Sequence, residues 1–114
     1  MNVKLDFAAL EIPTMELAML DDNRTTLNLM FPELKLIERL IAIAPTMRAA
    51  KATNDETALK QIYDLWAELF SNNMEGIEVT ADDLSNKYRL KFAHLIIFTS
   101  KYMDFINEVK STKN

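Results

Sequence analysis

Residues 88–109 read YRLKFAHLIIFTSKYMDFINEV and carry one apolar seam with a 4-3-4-3 spacing. Because an α-helix turns once per 3.6 residues, this spacing places the seam on a single stripe of a helix. The stripe consists of Tyr88, Phe92, Leu95, Thr99, Tyr102, Ile106 and Val109. Phe98 and Phe105 widen it, whereas polar side chains such as His94 lie opposite. The sequence therefore predicts a long C-terminal helix, over about residues 88–110, with a broad buried face.

The helix predicted in the middle of the chain begins after Pro32, because proline suits the first turn of a helix. From Leu34 onward its apolar residues cover about half of the helical circumference. Pro45 lacks the backbone N–H that a helix interior requires. We therefore expect Pro45 to kink or end this helix, which is predicted over about residues 33–47.

A second amphipathic helix is predicted over about residues 54–73. Thr53 and Glu56 have the spacing of a capping box, in which each side chain bonds the backbone N–H of the other residue. Gly76 supplies the break after this helix. A short helix over about residues 81–87 then begins with acidic side chains, which suit a helix N-terminus, and leads into the C-terminal seam.

Alternation with a period of two replaces the helical spacing before Phe31. The runs at residues 14–20 and 25–31 alternate apolar and polar side chains, and the turn-forming sequence DDNR separates them. This pattern predicts a β-hairpin within about residues 3–31, with two strands, or three if the alternating run from Val3 joins them. The fold class is therefore α+β: an N-terminal β-hairpin packed with three to four α-helices in a single domain of residues 1–114.

Composition excludes several classes of function. The net charge is −4 and the pI is near 5.0, with the basic residues scattered, whereas a protein that binds nucleic-acid phosphates clusters its Lys and Arg. The absence of Cys excludes disulfides and thiolate metal sites, and a single Gly cannot form a phosphate-binding or dinucleotide-binding loop. No apolar run is long enough for a membrane span. We expect no cofactor, no metal, no nucleic acid and no membrane partner.

Candidate catalytic residues are equally scarce. His94 is the sole histidine, and it lies on the polar side of the predicted C-terminal helix, where a solvated role is the simplest interpretation. The adjacent carboxylates of Asp21 and Asp22 fit a turn, and those of Asp82 and Asp83 fit a helix cap. The sequence therefore predicts no catalytic and no metal-ligating residue, and a protein that is not an enzyme.

Two apolar residues do not fit the core of the predicted C-terminal helix. Leu90 and Ile97 are one heptad apart, on the polar side of that helix. An aligned apolar pair on a polar face is a candidate for contact with another protein. We therefore expect Leu90 and Ile97 to contribute to a partner-binding surface.

The order of the segments resembles the tail assembly chaperones of long-tailed bacteriophages and of prophages of Gram-positive bacteria. The resemblance covers essentially the whole chain. Its most distinctive pieces are NNMEG at residues 72–76, Val79-Thr80 after it, and YMDFI at residues 102–106. They lie in a chain that runs from the hairpin segments LDFAALEIPTMELAML and TTLNLMFP, through ELKLIERLIAIAP, to KYRLKFAHLIIFTSKYMDFINEV.

This resemblance implies a non-enzymatic protein that acts in the cytoplasm of the bacterial host and is not expected in the mature virion. The implied partner is the tape measure protein, a long and largely helical chain that the chaperone keeps soluble during tail assembly; the tail tube protein is a second candidate, and self-association is left open. The alternative is a small acidic phage-encoded module that inhibits a host protein. A tape measure gene directly downstream would favour the chaperone.

Overall fold

The computed structural model describes residues 2–6, 12–53 and 55–111 of the chain. Its elements follow in the order β1 (Thr14–Ala18), β2 (Thr26–Met30), α1 (Leu34–Thr53), α2 (Glu56–Ser71), a π-helical turn (Asp83–Lys87) and α3 (Phe92–Ser111). An antiparallel two-stranded hairpin thus precedes the helices, which confirms the predicted α+β fold.

The β-hairpin places its apolar side chains on the side of the core. Met15 lies opposite Leu29 and Leu17 opposite Leu27 in the β1–β2 pairing. In the turn, the carboxylate of Asp21 accepts hydrogen bonds from the backbone N–H and the hydroxyl of the same threonine, at 2.8 and 2.5 Å, and so closes the connection between the strands.

The third strand that the sequence left open does not form over residues 2–6, where the chain is irregular and Val3 and Leu5 are exposed. Phe7, the end of the predicted run, lies outside the described residues. Alternation marks a segment with one apolar side, but it supplies no hydrogen-bonding partner for the backbone of that segment.

Helix α1 continues through Pro45 and ends at Thr53, so the expected break near residue 47 is wrong. Pro45 is exposed, and it occupies the solvent side of the helix. The apolar spacing Leu40, Ile43, Met47 continues across the proline, and Met47 is buried in the core. Met47 is therefore buried despite the backbone hydrogen bond that proline removes from a helix interior, a loss of about 3 kcal/mol that burial of such a side chain offsets in part.

Helix α2 begins at Glu56 with Asp55 as its N-cap, and the expected cap at Thr53 is wrong because that residue belongs to α1. The carboxylate of Asp55 accepts hydrogen bonds from the backbone N–H groups of Thr57 and Ala58. Asp and Thr are both favourable N-caps, and because α1 continues through Thr53, Asp55 caps α2.

Helices α1 and α2 form an antiparallel pair. One groove between them is lined at one end by Thr46 and Gln61, and Arg39 extends from α1 to an exposed ion pair with Glu68 of α2 at 2.6 Å. Earlier residues of α1 therefore lie beside later residues of α2, so the two helices run in opposite directions. In contrast, α2 and α3 run in the same direction, because Tyr63 neighbours Phe92 and a later residue of α2, Phe70, packs on Phe98.

The α2–α3 contact holds the largest buried side chains. The indole N–H of Trp66 donates to the Thr99 hydroxyl at 2.8 Å, and its ring meets Phe92 edge to face. Tyr102 is fully buried and donates its hydroxyl hydrogen bond to the backbone carbonyl of Met30 at 3.0 Å, which ties α3 to the hairpin. The predicted buried face of the C-terminal helix is confirmed from Phe92 onward.

The start of α3 differs from the prediction, because the helix begins at Phe92 rather than at residue 88. Arg89 has a left-handed backbone with φ of 61°, which interrupts helical geometry. Tyr88 is still buried, but it belongs to the connection that follows the π-helical turn, where its N–H donates to the Asp83 carbonyl at 2.8 Å. The predicted helix over residues 81–87 is helical at 81–82 and then becomes that π-helical turn.

Candidate interaction surface

The polar residues that could have served chemistry have local structural roles. His94 is the third residue of α3, and its Nδ1 accepts the backbone N–H of Lys91 at 2.9 Å, as in the second half of a capping box. The Asp82 carboxylate accepts from the Asn86 side chain, and the Asp83 carboxylate from the backbone N–H of Thr80. Within residues 2–6, 12–53 and 55–111, no three His, Asp or Glu side chains converge as a metal site would require.

None of the helices in the described ranges combines the length and the hydrophobicity that crossing a membrane requires.

The structure separates the two residues of the sequence-predicted contact. Leu90 lies before α3, where its N–H donates to the Leu84 carbonyl at 2.8 Å and its half-buried side chain packs on the core. Ile97 lies on α3 and is 60% exposed. The heptad alignment of Leu90 and Ile97 on one helix is therefore wrong, because the left-handed Arg89 and the start of α3 at Phe92 place Leu90 off the helix.

Ile97 directly follows Ile96, which lines an apolar groove between α1 and α3. This groove has a volume of about 200 Å³, and its lining is predominantly apolar. The groove is lined by Ala44, Met47, Ile96, Thr99 and Ser100. Ile41 is 58% exposed and lies one helical turn before Ala44, just as Ile97 lies one turn before Ser100. Neither isoleucine lines the groove itself, but helical spacing puts each of them one turn from a residue that does.

A larger groove of about 540 Å³ lies between the end of α2 and residues 76–80, but its polar groups hold the chain together. The Ser71 hydroxyl accepts the backbone N–H of Val79 at 2.8 Å and contacts the Val79 carbonyl at 3.0 Å. Glu68, which also lines this groove, pairs with Arg39. We therefore regard the α1–α3 groove, which has an apolar lining and an exposed isoleucine one turn away on each helix, as the candidate interaction surface.

The NNMEG segment has a structural role that the sequence did not reveal beyond its glycine. Asn72 donates its side-chain N–H to the backbone carbonyls of Met30 and Phe31, at 3.3 and 3.4 Å. Asn73 is buried; its amide donates to the Phe70 and Ile77 carbonyls and accepts the Ile77 N–H. Side-chain amides of this kind satisfy backbone groups where regular structure ends.

The same segment extends the edge of the sheet. Met30 donates its backbone N–H to the Asn72 carbonyl, and Met74 donates to the Asn28 carbonyl, each at 2.9 Å. The Glu75 carboxylate accepts the side-chain and backbone N–H groups of Asn28 at 2.7 and 2.8 Å. The asparagine pair and Gly76 indicate the end of a helix, but the contacts to a strand more than forty residues earlier leave no local signal in the sequence.

Hydrogen bonding and burial set the ionisation of four groups. The side chain of Asn28 holds the pKa of Glu75 below its ordinary value, and the hydroxyl of Thr25 does the same for the pKa of Asp21. The carboxylate of Glu68 raises the pKa of Arg39. Burial raises the pKa of the Tyr102 phenol, against the effect of a hydrogen bond with Asn72. None of these groups lines the α1–α3 groove, so its character is set by apolar side chains.

Comparison with known proteins gives no match to this chain among protein-family models, curated proteins or solved structures.

Proposed function

We propose that this protein is a non-enzymatic tail assembly chaperone of a long-tailed bacteriophage or prophage. It binds the tape measure protein in the cytoplasm of the host cell, keeps that chain soluble while the tail assembles, and is absent from the mature virion. The proposal rests on the resemblance in segment order and on one structural observation, the apolar groove between α1 and α3 with the exposed Ile41 and Ile97 one helical turn from its lining residues.

The groove fits the chemistry of such a partner. An amphipathic helix binds a groove through apolar side chains at positions i, i+3, i+4 and i+7, and a helical tape measure protein offers many such stripes. The floor of the groove is built on two helices that the core already holds, so binding does not require the chaperone to reorganise. Ile41 and Ile97 would be covered by the incoming helix, which is a favourable use of apolar side chains that are otherwise exposed.

Co-expression with tape measure fragments tests the proposal. The double variant Ile41→Asp with Ile97→Asp should weaken binding at least about tenfold, because each buried isoleucine contributes roughly 1.5–3 kcal/mol. The measurements are the fraction of fragment that stays soluble and the affinity of the purified pair by calorimetry. Because both side chains are more than half exposed, the free energy of unfolding of the variant should stay close to that of the unmodified protein.

Met74→Asp is the matched control, since Met74 is similarly exposed, at 52%, but lies in the NNMEG segment and not on the groove. It should leave solubilisation unchanged. Full solubilisation by the folded Ile41→Asp, Ile97→Asp protein would exclude the groove as the binding surface. Failure of the unmodified protein to keep any tape measure fragment soluble would overturn the chaperone function itself.

A further inference from the structure

The hairpin has one edge that the described residues leave without a neighbouring strand. On the β2 side, the backbone groups of Asn28 and Met30 bond to the NNMEG segment. The backbone N–H and C=O groups of successive residues in an antiparallel strand point to opposite edges, so those of Leu27 and Leu29 must point toward β1. The backbone groups of their partners, Leu17 and Met15, then point toward β2. The backbone groups of Thr14, Glu16 and Ala18 point away from the sheet, which has two strands within the described ranges.

The apolar face of the sheet is also incomplete at this edge. Leu27 and Leu29 of β2 are fully buried, whereas Met15 and Leu17 of β1 are only half-buried although they point to the same core. A strand added beside β1 would cover these two side chains if it carried apolar residues on the same face. Among residues 2–6, 12–53 and 55–111, the edge therefore lacks both a strand that bonds to it and a full apolar cover.

Residues 2–6 have the properties of that strand. Val3 and Leu5 are 87% and 61% exposed, with Lys4 between them, so the segment has one apolar side that is largely exposed. Residues 2–6 match the length of β1, which has five residues. The segment is irregular in the structure, which shows that it does not occupy the edge of its own β1.

We propose that residues 2–6 of one copy add as an antiparallel strand to the outer edge of β1 in a second copy, and that the exchange is reciprocal. Pairing Lys4 with Glu16 places Val3 beside Leu17 and Leu5 beside Met15, all on the core side. Lys4 and Glu16 are then opposite charges on the solvent side, a favourable cross-strand pair. Backbone hydrogen bonds along an exposed sheet edge provide the remaining stabilisation, as in other cases of strand addition.

The geometry allows the exchange. Seven residues, 7–13, separate the added strand from β1, and such a segment spans at most about 25 Å when extended, enough to reach a neighbouring copy. A two-fold axis would let both copies donate and accept the same strand, so the assembly closes as a dimer rather than growing. This inference does not depend on the proposed function.

Sedimentation velocity on the full chain tests the dimer over about 5 to 500 µM, because association depends on protein concentration. The unmodified protein should convert from monomer to dimer within this range. Val3→Asp with Leu5→Asp should weaken the dimer about tenfold or more. Ile12→Asp, a change at a similarly exposed apolar residue outside the pairing segment, should leave the dimer unchanged.

Charge exchange supplies a second variant set that does not alter the apolar residues. Lys4→Glu and Glu16→Lys should each weaken the dimer by roughly threefold, and the two together should restore it, because the cross-strand pair is re-formed with reversed charges. In the dimer, the backbone N–H groups of Glu16 and Ala18 should become protected from hydrogen exchange as protein concentration rises.

Three results would overturn the inference. The first is a chain that stays monomeric throughout the concentration range. The second is a dimer that the folded Val3→Asp, Leu5→Asp protein forms with undiminished affinity. The third is protection of Glu16 and Ala18 that does not depend on concentration, since that would mean that the segment pairs with β1 of its own copy.

Discussion

Two connections flank the π-helical turn, and they reverse the chain by different means. The first, residues 72–80, contains Gly76 in the left-handed region with φ of 71°; the second, residues 88–91, contains Arg89 with φ of 61°. The first is held largely by side-chain amides and a hydroxyl that bond to backbone groups. The second is held by backbone hydrogen bonds and the buried ring of Tyr88, together with the His94 side chain that accepts the Lys91 N–H and the exposed Arg89–Asp22 ion pair. Polar side chains therefore contribute most in the first connection, and backbone hydrogen bonds and packing contribute most in the second.

This difference explains which connection could be read from the sequence. Gly76 follows an asparagine pair, and both residue types favour the end of a helix. Arg89 carries no such signal, and the spacing from Tyr88 to Phe92 continues the 4-3 pattern of α3. The sequence pattern therefore predicts a helix that runs through the connection. The same backbone conformation is thus visible to sequence analysis at a glycine and hidden at an arginine.

The largest effect is expected for Asn73→Ala, which should destabilise the protein by about 3 kcal/mol. The substitution leaves the part-buried Ile77 N–H and the Phe70 and Ile77 carbonyls without their partner amide. Urea denaturation measures the loss. Asn86→Ala is the control, because its amide bonds only to Asp82 on the exposed surface, and it should cost less than about 0.5 kcal/mol. Equal losses for both variants would show that the first connection does not depend on Asn73.

Exchanges between glycine and alanine compare the left-handed residues of the two connections, Gly76 and Arg89, directly. Gly76→Ala should destabilise by about 1 kcal/mol through backbone strain alone, since an added Cβ at this position meets no atom within 4 Å. Arg89→Gly should be more stable than Arg89→Ala by a similar amount, because both variants remove the exposed ion pair with Asp22 and only the glycine relieves the strain.

Chemical denaturation of the three variants provides these differences. If Arg89→Gly proves no more stable than Arg89→Ala while Gly76→Ala is destabilised, the two connections differ in backbone strain as well as in the contacts that hold them.

The sequence predicted the hairpin, the α2 face and the buried side of α3, because each has a period that burial enforces. It failed where two local rules competed. Pro45 argued for a helix end, but the apolar spacing to Met47 prevailed. The predicted contact surface was wrong for a related reason: Ile97 is exposed as expected, but the groove beside it is lined by α1 as well as α3, and the sequence alone does not show which helices lie side by side.

The smallest predicted effect concerns the carboxylate that joins the first connection to the hairpin. The hydrogen bonds from Asn28 lower the pKa of Glu75 in the folded protein below its value in the unfolded chain. A lowered folded-state pKa means that the ionised carboxylate stabilises the fold above the unfolded pKa, and that this stabilisation is lost as the pH falls through the folded-state pKa.

Glu75→Gln removes the titration and should therefore be less stable than the unmodified protein near neutral pH, with the difference shrinking below about pH 4.5. Urea denaturation of both proteins from about pH 7 to about pH 3 measures this difference in the free energy of unfolding. The pKa of Asp21 is also lowered, but because both proteins contain Asp21, its contribution cancels in the difference. Stability curves that stay parallel through the acid range would show that Glu75 contributes to the connection by shape and not by charge.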